Sequence, residues 1–106
     1  MQLNEIIDQL KTIYKQYNNI KLGIAGSYAN GTQDSTSDID IVIDGDSTQI
    51  DLIQHIKSLF SQSVDILWVD LMEKEDRDLD ELAKANDLPI NKYSVYKTVM
   101  KEVIWI

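Results

Sequence analysis

The sequence predicts an α/β fold of the α+β kind, in which one mixed sheet is backed by helices mainly on one face, leaving the other face free for substrate. Two observations lead to this prediction. Segments with apolar residues at helical spacing alternate along the chain with short segments that have the two-residue period of strands. The resulting order of helix, strand, turn, strand, helix and strand is typical of such a sheet. The length of 106 residues allows one core, so we expect a single domain over residues 1–106.

The first half of the chain supplies one helix and two strands. In residues 20–25, isoleucine and leucine recur at every second position and so share one face, which predicts the first strand. The pattern stops at Gly26. Residues 38–43 alternate isoleucine with aspartate or valine and predict the second. The opening amphipathic helix, which ends before the Asn18–Asn19 turn, is predicted from apolar residues at helical spacing: Leu3, Ile6, Ile7, Leu10, Ile13, Tyr14 and Tyr17.

The second half of the chain continues the alternation. Residues 50–60 predict a helix, and the apolar run 64–69 predicts a buried strand that is too short to span a membrane. Residues 73–80 are dense in charge and predict a solvated connection or the start of a helix. Three further segments complete the chain: a short helix before Pro89, a helical stripe over residues 93–100, and a terminal strand or docking segment over residues 103–106.

Two aspartates, Asp38 and Asp40, lie on the second predicted strand. Successive strand side chains point to opposite faces, so both carboxylates project from the side opposite the isoleucines, with Cα atoms about 6.6 Å apart. Two such carboxylates repel each other unless a cation lies between them. Because Mg²⁺ is commonly held by one or two carboxylates together with substrate phosphates, the pair predicts half of a metal site. An Asp-x-Asp by itself is also typical of a solvated strand end.

The turn after the first predicted strand has the features of an anion site. Gly26 tolerates close approaches that a side chain forbids, and we expect the Ser27 hydroxyl to cap a short turn over residues 28–30. Free backbone N–H groups at such a start bind anions such as phosphate. Tyr28 has two open interpretations, stacking on a nucleobase and packing in the core. A Gly-Ser pair by itself is usually an ordinary turn.

A third carboxylate, Asp65, lies near the start of the apolar run 64–69. Burying an unpaired carboxylate is strongly unfavourable, so Asp65 needs a metal, a partner or an exposed position at the start of the strand. A simple strand-edge aspartate is the alternative interpretation. Asp70 competes for the same role, but its place at the far end of the run better suits the exit of the strand.

A Gly-Ser pair, ten further residues and then Asp-x-Asp resemble the signature of the DNA polymerase β-like nucleotidyltransferase superfamily, and within it the minimal nucleotidyltransferases. The resemblance extends over most of the chain and implies the polymerase β-like nucleotidyltransferase fold. It implies that Gly26 and Ser27 hold the triphosphate of ATP. It also implies that Asp38, Asp40 and Asp65 are the catalytic residues and bind Mg²⁺, with two ions expected.

The resemblance also implies a function. Many minimal nucleotidyltransferases are encoded beside an all-helical HEPN-domain toxin and act as antitoxins that transfer AMP from ATP to a tyrosine hydroxyl of that toxin, releasing pyrophosphate. We therefore expect a Mg²⁺-dependent protein adenylyltransferase that associates with a HEPN toxin. One departure is Asn30, which stands where many relatives have arginine, so one phosphate contact is lost and the rate is in question. Two alternatives stay open: a non-catalytic antitoxin that neutralises by binding, and the catalytic subunit of a two-subunit small-molecule nucleotidyltransferase.

The composition narrows the class of partner and the compartment. The formal net charge of -8 disfavours direct binding along a nucleic-acid backbone, so a template-copying polymerase is not expected. The absence of cysteine excludes disulfides and thiolate metal sites. The first residues lack the basic start and apolar stretch of a secretion signal, so we expect a cytoplasmic protein without membrane association.

Overall fold

The computed structural model describes residues 2–17, 19–34, 36–87 and 95–106. Helices and strands follow one another largely in the predicted order, and a short helix takes the place of the predicted Gly-Ser turn. In chain order the elements are α1 (Leu3–Tyr14), β1 (Lys21–Ala25), α2 (Gly26–Asn30), β2 (Ile39–Asp44), α3 (Ile50–Ser58), β3 (Val64–Trp68), α4 (Val69–Ala85), α5 (Val95–Glu102) and β4 (Ile104–Trp105).

In the described part of the chain, four strands form one mixed sheet in the order β3-β2-β1-β4. The β1 strand is antiparallel to β2, with Lys21 opposite Asp44 and Ala25 opposite Asp40. The β2 strand is parallel to β3, and β4 is antiparallel to β1. The predicted fold class, a mixed sheet with helices, is confirmed.

The larger hydrophobic core lies between one face of the sheet and the helices α1 and α3. Ile39, Ile41 and Ile43 of β2 are completely buried in it, as the two-residue period predicts. Complete burial of one such side chain stabilises the fold by about 1.5–3 kcal/mol, so these three fix the strand firmly. The helices contribute Ile6, Leu10, Ile13, Leu52 and Ile56 to the same cluster.

Helices α4 and α5 cover part of the opposite face of the sheet. Val69 and Met72 of α4 pack with Ala25 and Val42 in a second, smaller hydrophobic cluster. Partly buried side chains from α5 and the end of the chain surround it: Tyr96, Val99, Met100, Val103 and Trp105. The main core is thus on one face, as predicted, but the expectation that the other face is free for substrate is only partly met.

The helix α4 is longer than the sequence predicts. Residues 73–80, expected as a solvated connection or the start of a helix, lie in the middle of one continuous helix that follows directly after Trp68. Val69 and Met72, three residues apart, are buried and pack the helix against the sheet. Most of the remaining surface of the helix is charged. None of the described helices, α4 included, is long and apolar enough to cross a membrane.

Of the two predictions for residues 103–106, a terminal strand or a docking segment, the strand is correct: β4 (Ile104–Trp105) pairs with β1 at one edge of the sheet. The pairing continues past the strand, because the N–H of Ile106 donates to the carbonyl oxygen of Leu22 at 2.9 Å. The predictions for Pro89 and Tyr93 lie outside the described residues.

Gly23 of β1 should not tolerate a side chain. A Cβ atom there would lie 2.5 Å from Cγ2 of Val103 and 2.9 Å from Cε3 of Trp105. We expect Gly23→Ala to lower the free energy of unfolding by about 1–3 kcal/mol, as overpacking typically does, and to loosen β4. Thermal denaturation and limited proteolysis measure the two effects. Val103→Ala in the same chain removes the nearest atom and should restore part of the stability, whereas a Gly23→Ala protein as stable as wild type would contradict this packing.

Candidate nucleotidyl-transfer site

The first part of the candidate site is the junction between β1 and α2. The strand ends at Ala25, which pairs with Asp40, and the next residue, Gly26, has a φ of 67°. A Cβ atom at Gly26 would overlap Oδ2 of Asp40, so a larger residue would strain the backbone angle and push this carboxylate aside. The prediction that Ser27 caps this helix is wrong. Ala25 is the N-cap residue, and no side chain makes a cap hydrogen bond.

Strand register brings two of the predicted site aspartates side by side. Asp40 of β2 and Asp65 of β3 are paired residues of parallel strands, so their side chains project from the same face. Asp38, predicted on the same strand as Asp40, lies just before it, because β2 begins at Ile39. Asp38 and Asp65 are exposed, and Asp40 is half-buried. Asp70, by contrast, lies in the first turn of α4, beyond the far end of β3, where its Oδ1 accepts a hydrogen bond from the N–H of Leu71.

The neighbouring carboxylates act electrostatically on Asp40. Burial raises the pKa of the Asp40 carboxyl, and the negative charges of Asp65 and Asp38 raise it further. A hydrogen bond between the side chains of Asp40 and Asp65 acts in the same direction. The ionised form of Asp40 is therefore disfavoured in the folded protein, and a cation between the carboxylates would relieve that repulsion.

The loop that leads to Asp38 is ordered by Asp34. Its Oδ1 accepts hydrogen bonds from the hydroxyl and the N–H of Thr36, at 2.7 and 2.8 Å, and its own N–H donates to Oγ of Ser37 at 2.9 Å. The Thr36 hydrogen bonds hold the pKa of the exposed Asp34 carboxyl below its ordinary value. Local hydrogen bonds thus fix the chain directly before the first site carboxylate.

A residue that the sequence analysis missed, Gln62, joins separate parts of the site. Its Nε2 donates to Oη of Tyr28 at 2.8 Å and to the carbonyl oxygen of Ser37 at 3.0 Å. Tyr28 is 2% exposed, so of its two interpretations core packing is correct. No local sequence pattern marks Gln62, because its partners are 34 and 25 residues away.

Comparison of the sequence with known protein families identifies the family of this chain. Residues 3–105 match the family described as nucleotidyltransferase domain. The chain belongs to this family. The match spans nearly all of the chain and agrees with the resemblance from which the fold was predicted. A comparison with curated proteins found no significant match.

Solved structures also include similar chains. One, described as "Crystal structure of the toxin-antitoxin with AMP-PNP", has 28% sequence identity and a TM-score of 0.47 over 66% of this nucleotidyltransferase chain. This chain in turn covers 59% of that chain. Membership of the nucleotidyltransferase family rests on the match over residues 3–105.

The carboxylates of this nucleotidyltransferase domain have the chemistry that a hard divalent cation requires. Carboxylate oxygens are the ligands that Mg²⁺ prefers, and the repulsion at Asp40 is of the kind that a bound cation relieves. Over residues 2–17, 19–34, 36–87 and 95–106, however, no group of three or more His, Cys, Asp and Glu side chains has the arrangement of a metal site. The assignment of Asp38, Asp40 and Asp65 to Mg²⁺ stays a prediction.

Asn30, which stands where many relatives have arginine, is used in a local turn. It is the last residue of α2, and its Oδ1 accepts hydrogen bonds from the hydroxyl and the N–H of Thr32, at 2.6 and 3.1 Å. The side chain is exposed and, being an amide, supplies no positive charge. Asn30 therefore helps to end α2 and adds no positive charge to this part of the site.

Asp40→Asn should stabilise the metal-free domain at neutral pH. Because the pKa of Asp40 is raised, the folded protein binds this proton more tightly than the unfolded chain, so ionisation costs stability once the pH exceeds the ordinary value of 3.8. The substitution removes that cost, and the gain in Tm should vanish as the pH falls below that value. Thermal denaturation in EDTA over a pH series measures it. Asp44→Asn, exposed on the same strand, is the matched control and should change Tm little. A lower Tm for Asp40→Asn than for wild type at pH 7 would contradict the repulsion.

Gly26→Ala should damage the domain more than Gly31→Ala. Both glycines have positive φ, 67° and 80°, so alanine costs about 1–2 kcal/mol of backbone strain at either position. Only at Gly26 does the added Cβ meet Oδ2 of Asp40, whereas at Gly31 nothing lies within 4 Å. We expect Gly26→Ala to lower stability more than Gly31→Ala does, and we expect only Gly26→Ala to abolish Mg²⁺–nucleotide binding. Thermal denaturation and calorimetric titration measure both. Equal behaviour of the two variants would show that Asp40 is not held against the turn.

Proposed function

We propose that this domain transfers AMP from ATP to a tyrosine hydroxyl of a HEPN-domain toxin and thereby acts as the antitoxin. The observation that carries the nucleotidyl-transfer part is the close approach of Asp40 to Gly26, with Asp65 as the register partner of Asp40. It supports the proposal because one predicted metal ligand, Asp40, lies against the predicted phosphate-binding segment, with Asp65 next to it on the adjacent strand. The choice of a HEPN toxin as acceptor comes from the resemblance to minimal nucleotidyltransferases.

In the proposed reaction, the acceptor hydroxyl oxygen bonds to the α-phosphorus of ATP, the bond from that phosphorus to the bridging oxygen of the β-phosphate breaks, and pyrophosphate leaves. Backbone N–H groups at Gly26 and Ser27 bind the triphosphate. Asp38 and Asp40 would hold one Mg²⁺ and Asp65 a second, and Asp65 would also orient the attacking hydroxyl or accept its proton. The chemistry that Mg²⁺ would supply when bound is neutralisation of charge on the phosphate oxygens.

The surface of the domain favours a protein as the acceptor. The net charge of -8 disfavours contact with a phosphate backbone. Helix α4 exposes three leucines, Leu71, Leu79 and Leu82, with 51%, 43% and 59% of their surface accessible. Large apolar side chains exposed along a charged helix suit contact with another protein better than contact with a small hydroxyl compound.

A non-catalytic antitoxin is the second candidate, and the observation that favours it is the turn at Asn30. Its side chain is hydrogen-bonded to Thr32 and carries no charge. The transferred phosphate therefore has one cationic contact fewer than in the relatives that carry arginine there. In this alternative the domain neutralises the toxin by covering it, and the carboxylates are dispensable.

The test is incubation of the domain with ATP, Mg²⁺ and the HEPN protein encoded next to it, followed by intact-mass measurement of that partner. We expect the partner to gain AMP and lose toxicity, and EDTA to prevent both. Asp38→Asn with Asp40→Asn should still bind the partner without modifying it, and Asp44→Asn is the matched active control. Full neutralisation by the double variant with no added mass would contradict transfer and support the non-catalytic antitoxin. Labelling of a small hydroxyl compound instead of the partner would identify the two-subunit alternative.

A further inference from the structure

We propose that Gln62 is a positioning residue for nucleotidyl transfer. Its side chain links α2, which begins at Gly26, and the chain before Asp38 to the segment that leads to Asp65. The inference rests on the proposed function, because it concerns how the same carboxylates are held. Gln62 does not itself touch nucleotide or metal in this proposal and acts through the residues that it binds.

The side-chain amide of Gln62 is matched to two acceptors. Nε2 carries two hydrogens, and it donates to Oη of Tyr28 at 2.8 Å and to the carbonyl oxygen of Ser37 at 3.0 Å. The amide thus has one donor for each arm. Hydrogen bonds such as that from Thr48 to Asp46 join residues two apart and shape one turn, whereas the two bonds of Gln62 span 34 and 25 residues and hold separate segments together.

The backbone next to Gln62 adds a second attachment to the same place. The carbonyl oxygen of Ser63 accepts a hydrogen bond from the N–H of Ile39 at 2.9 Å. The residues on both sides of Asp38 are therefore bound to the pair Gln62–Ser63, Ser37 through the glutamine side chain and Ile39 through the backbone. The same pair leads directly into β3, which carries Asp65 as its second residue.

The hydrogen bond from Gln62 to Tyr28 reaches α2, the helix that carries the predicted phosphate-binding residues Gly26 and Ser27. Tyr28 is next to Ser27 on α2, and its ring is almost completely buried in the main core. A buried ring fixes its hydroxyl in one place, so the Gln62 amide is held between a rigid core residue and the backbone before Asp38. One side chain thus links the three segments that carry Ser27, Asp38 and Asp65.

This link matters because the carboxylates repel one another. Asp38 is exposed and lies in the segment before β2, so strand pairing does not hold it as it holds Asp40. Repulsion among like charges favours any movement that separates them. Bonds to Ser37 and Ile39 restrain the backbone on both sides of Asp38 against that movement. Groups that act on one substrate need such restraint, since a displacement of about 1 Å can cost on the order of 100-fold in rate.

The test uses Gln62→Leu, which keeps similar bulk and removes both donors, and Tyr28→Phe, which removes one acceptor. Gln54→Leu makes the same chemical change at an exposed position of α3 and is the matched control. With ATP, Mg²⁺ and the partner, we expect kcat to fall roughly 10- to 100-fold for Gln62→Leu and roughly 3- to 10-fold for Tyr28→Phe. The change in KM for ATP should be smaller. The Mg²⁺ concentration for half-maximal rate should rise in both variants and stay unchanged in Gln54→Leu.

A double-mutant cycle provides a readout that general loss of stability would not mimic. Because Tyr28→Phe removes a bond that Gln62→Leu has already broken, its effect should shrink in the Gln62→Leu background. Additive effects of the two substitutions on kcat would overturn the inference. If Gln62→Leu fails to fold, Tyr28→Phe decides the matter, because wild-type kcat and Mg²⁺ dependence in that variant would also overturn it.

Calorimetric titration with Mg²⁺ and a non-hydrolysable ATP analogue separates this inference from the proposed function. If wild type modifies no partner but binds the analogue, and Gln62→Leu binds it several-fold more weakly while Gln54→Leu does not, transfer fails and the positioning role stands. If wild type transfers AMP and Gln62→Leu matches Gln54→Leu in rate, Mg²⁺ dependence and binding, the function stands and the positioning role is wrong.

Discussion

The burial of Asp40 beside two other carboxylates at one end of a mixed sheet is the constraint on which the rest of this structure depends. Asp40 is half-buried, paired in register with Asp65 and two residues from Asp38, and its ionised form is disfavoured as a result. Such a group persists only where the surrounding fold holds it in place, and its cost is relieved when a cation binds. The same proximity of carboxylates that would let the site bind a cation also disfavours the ionised form of Asp40.

The fold holds these charges through its most rigid strand. The β2 strand is paired on both sides, and its isoleucines are completely buried on the face opposite Asp40. A slip of one residue would exchange those isoleucines with the aspartates, so the core that stabilises the domain also fixes which way the carboxylates point. Gly26 completes the arrangement, because a side chain at this position would displace the Asp40 carboxylate from the start of α2.

The acidity of the domain fits a nucleotide that arrives together with its metal. A net charge of -8 repels free polyanions, and a triphosphate that carries Mg²⁺ meets less of that repulsion. The exposed leucines of α4 are a different kind of surface, apolar side chains on a strongly charged helix. In the proposed antitoxin, the carboxylate site would serve the nucleotide and the exposed leucines of α4 would contact the partner.

The sequence by itself determined the mixed sheet, its main core and the placement of Asp40 on the face of β2 opposite the isoleucines, because the two-residue and helical periods are local properties. It did not determine that residues 73–80 continue a helix, since solvent-exposed charge looks alike in helices and loops. The sequence favoured Asp65 over Asp70 as the third carboxylate, but only the tertiary structure decided that Asp65 is directly opposite Asp40, because the register between β2 and β3 fixes that pairing. The same holds for Gln62, whose hydrogen bonds exist only after packing has brought distant segments together.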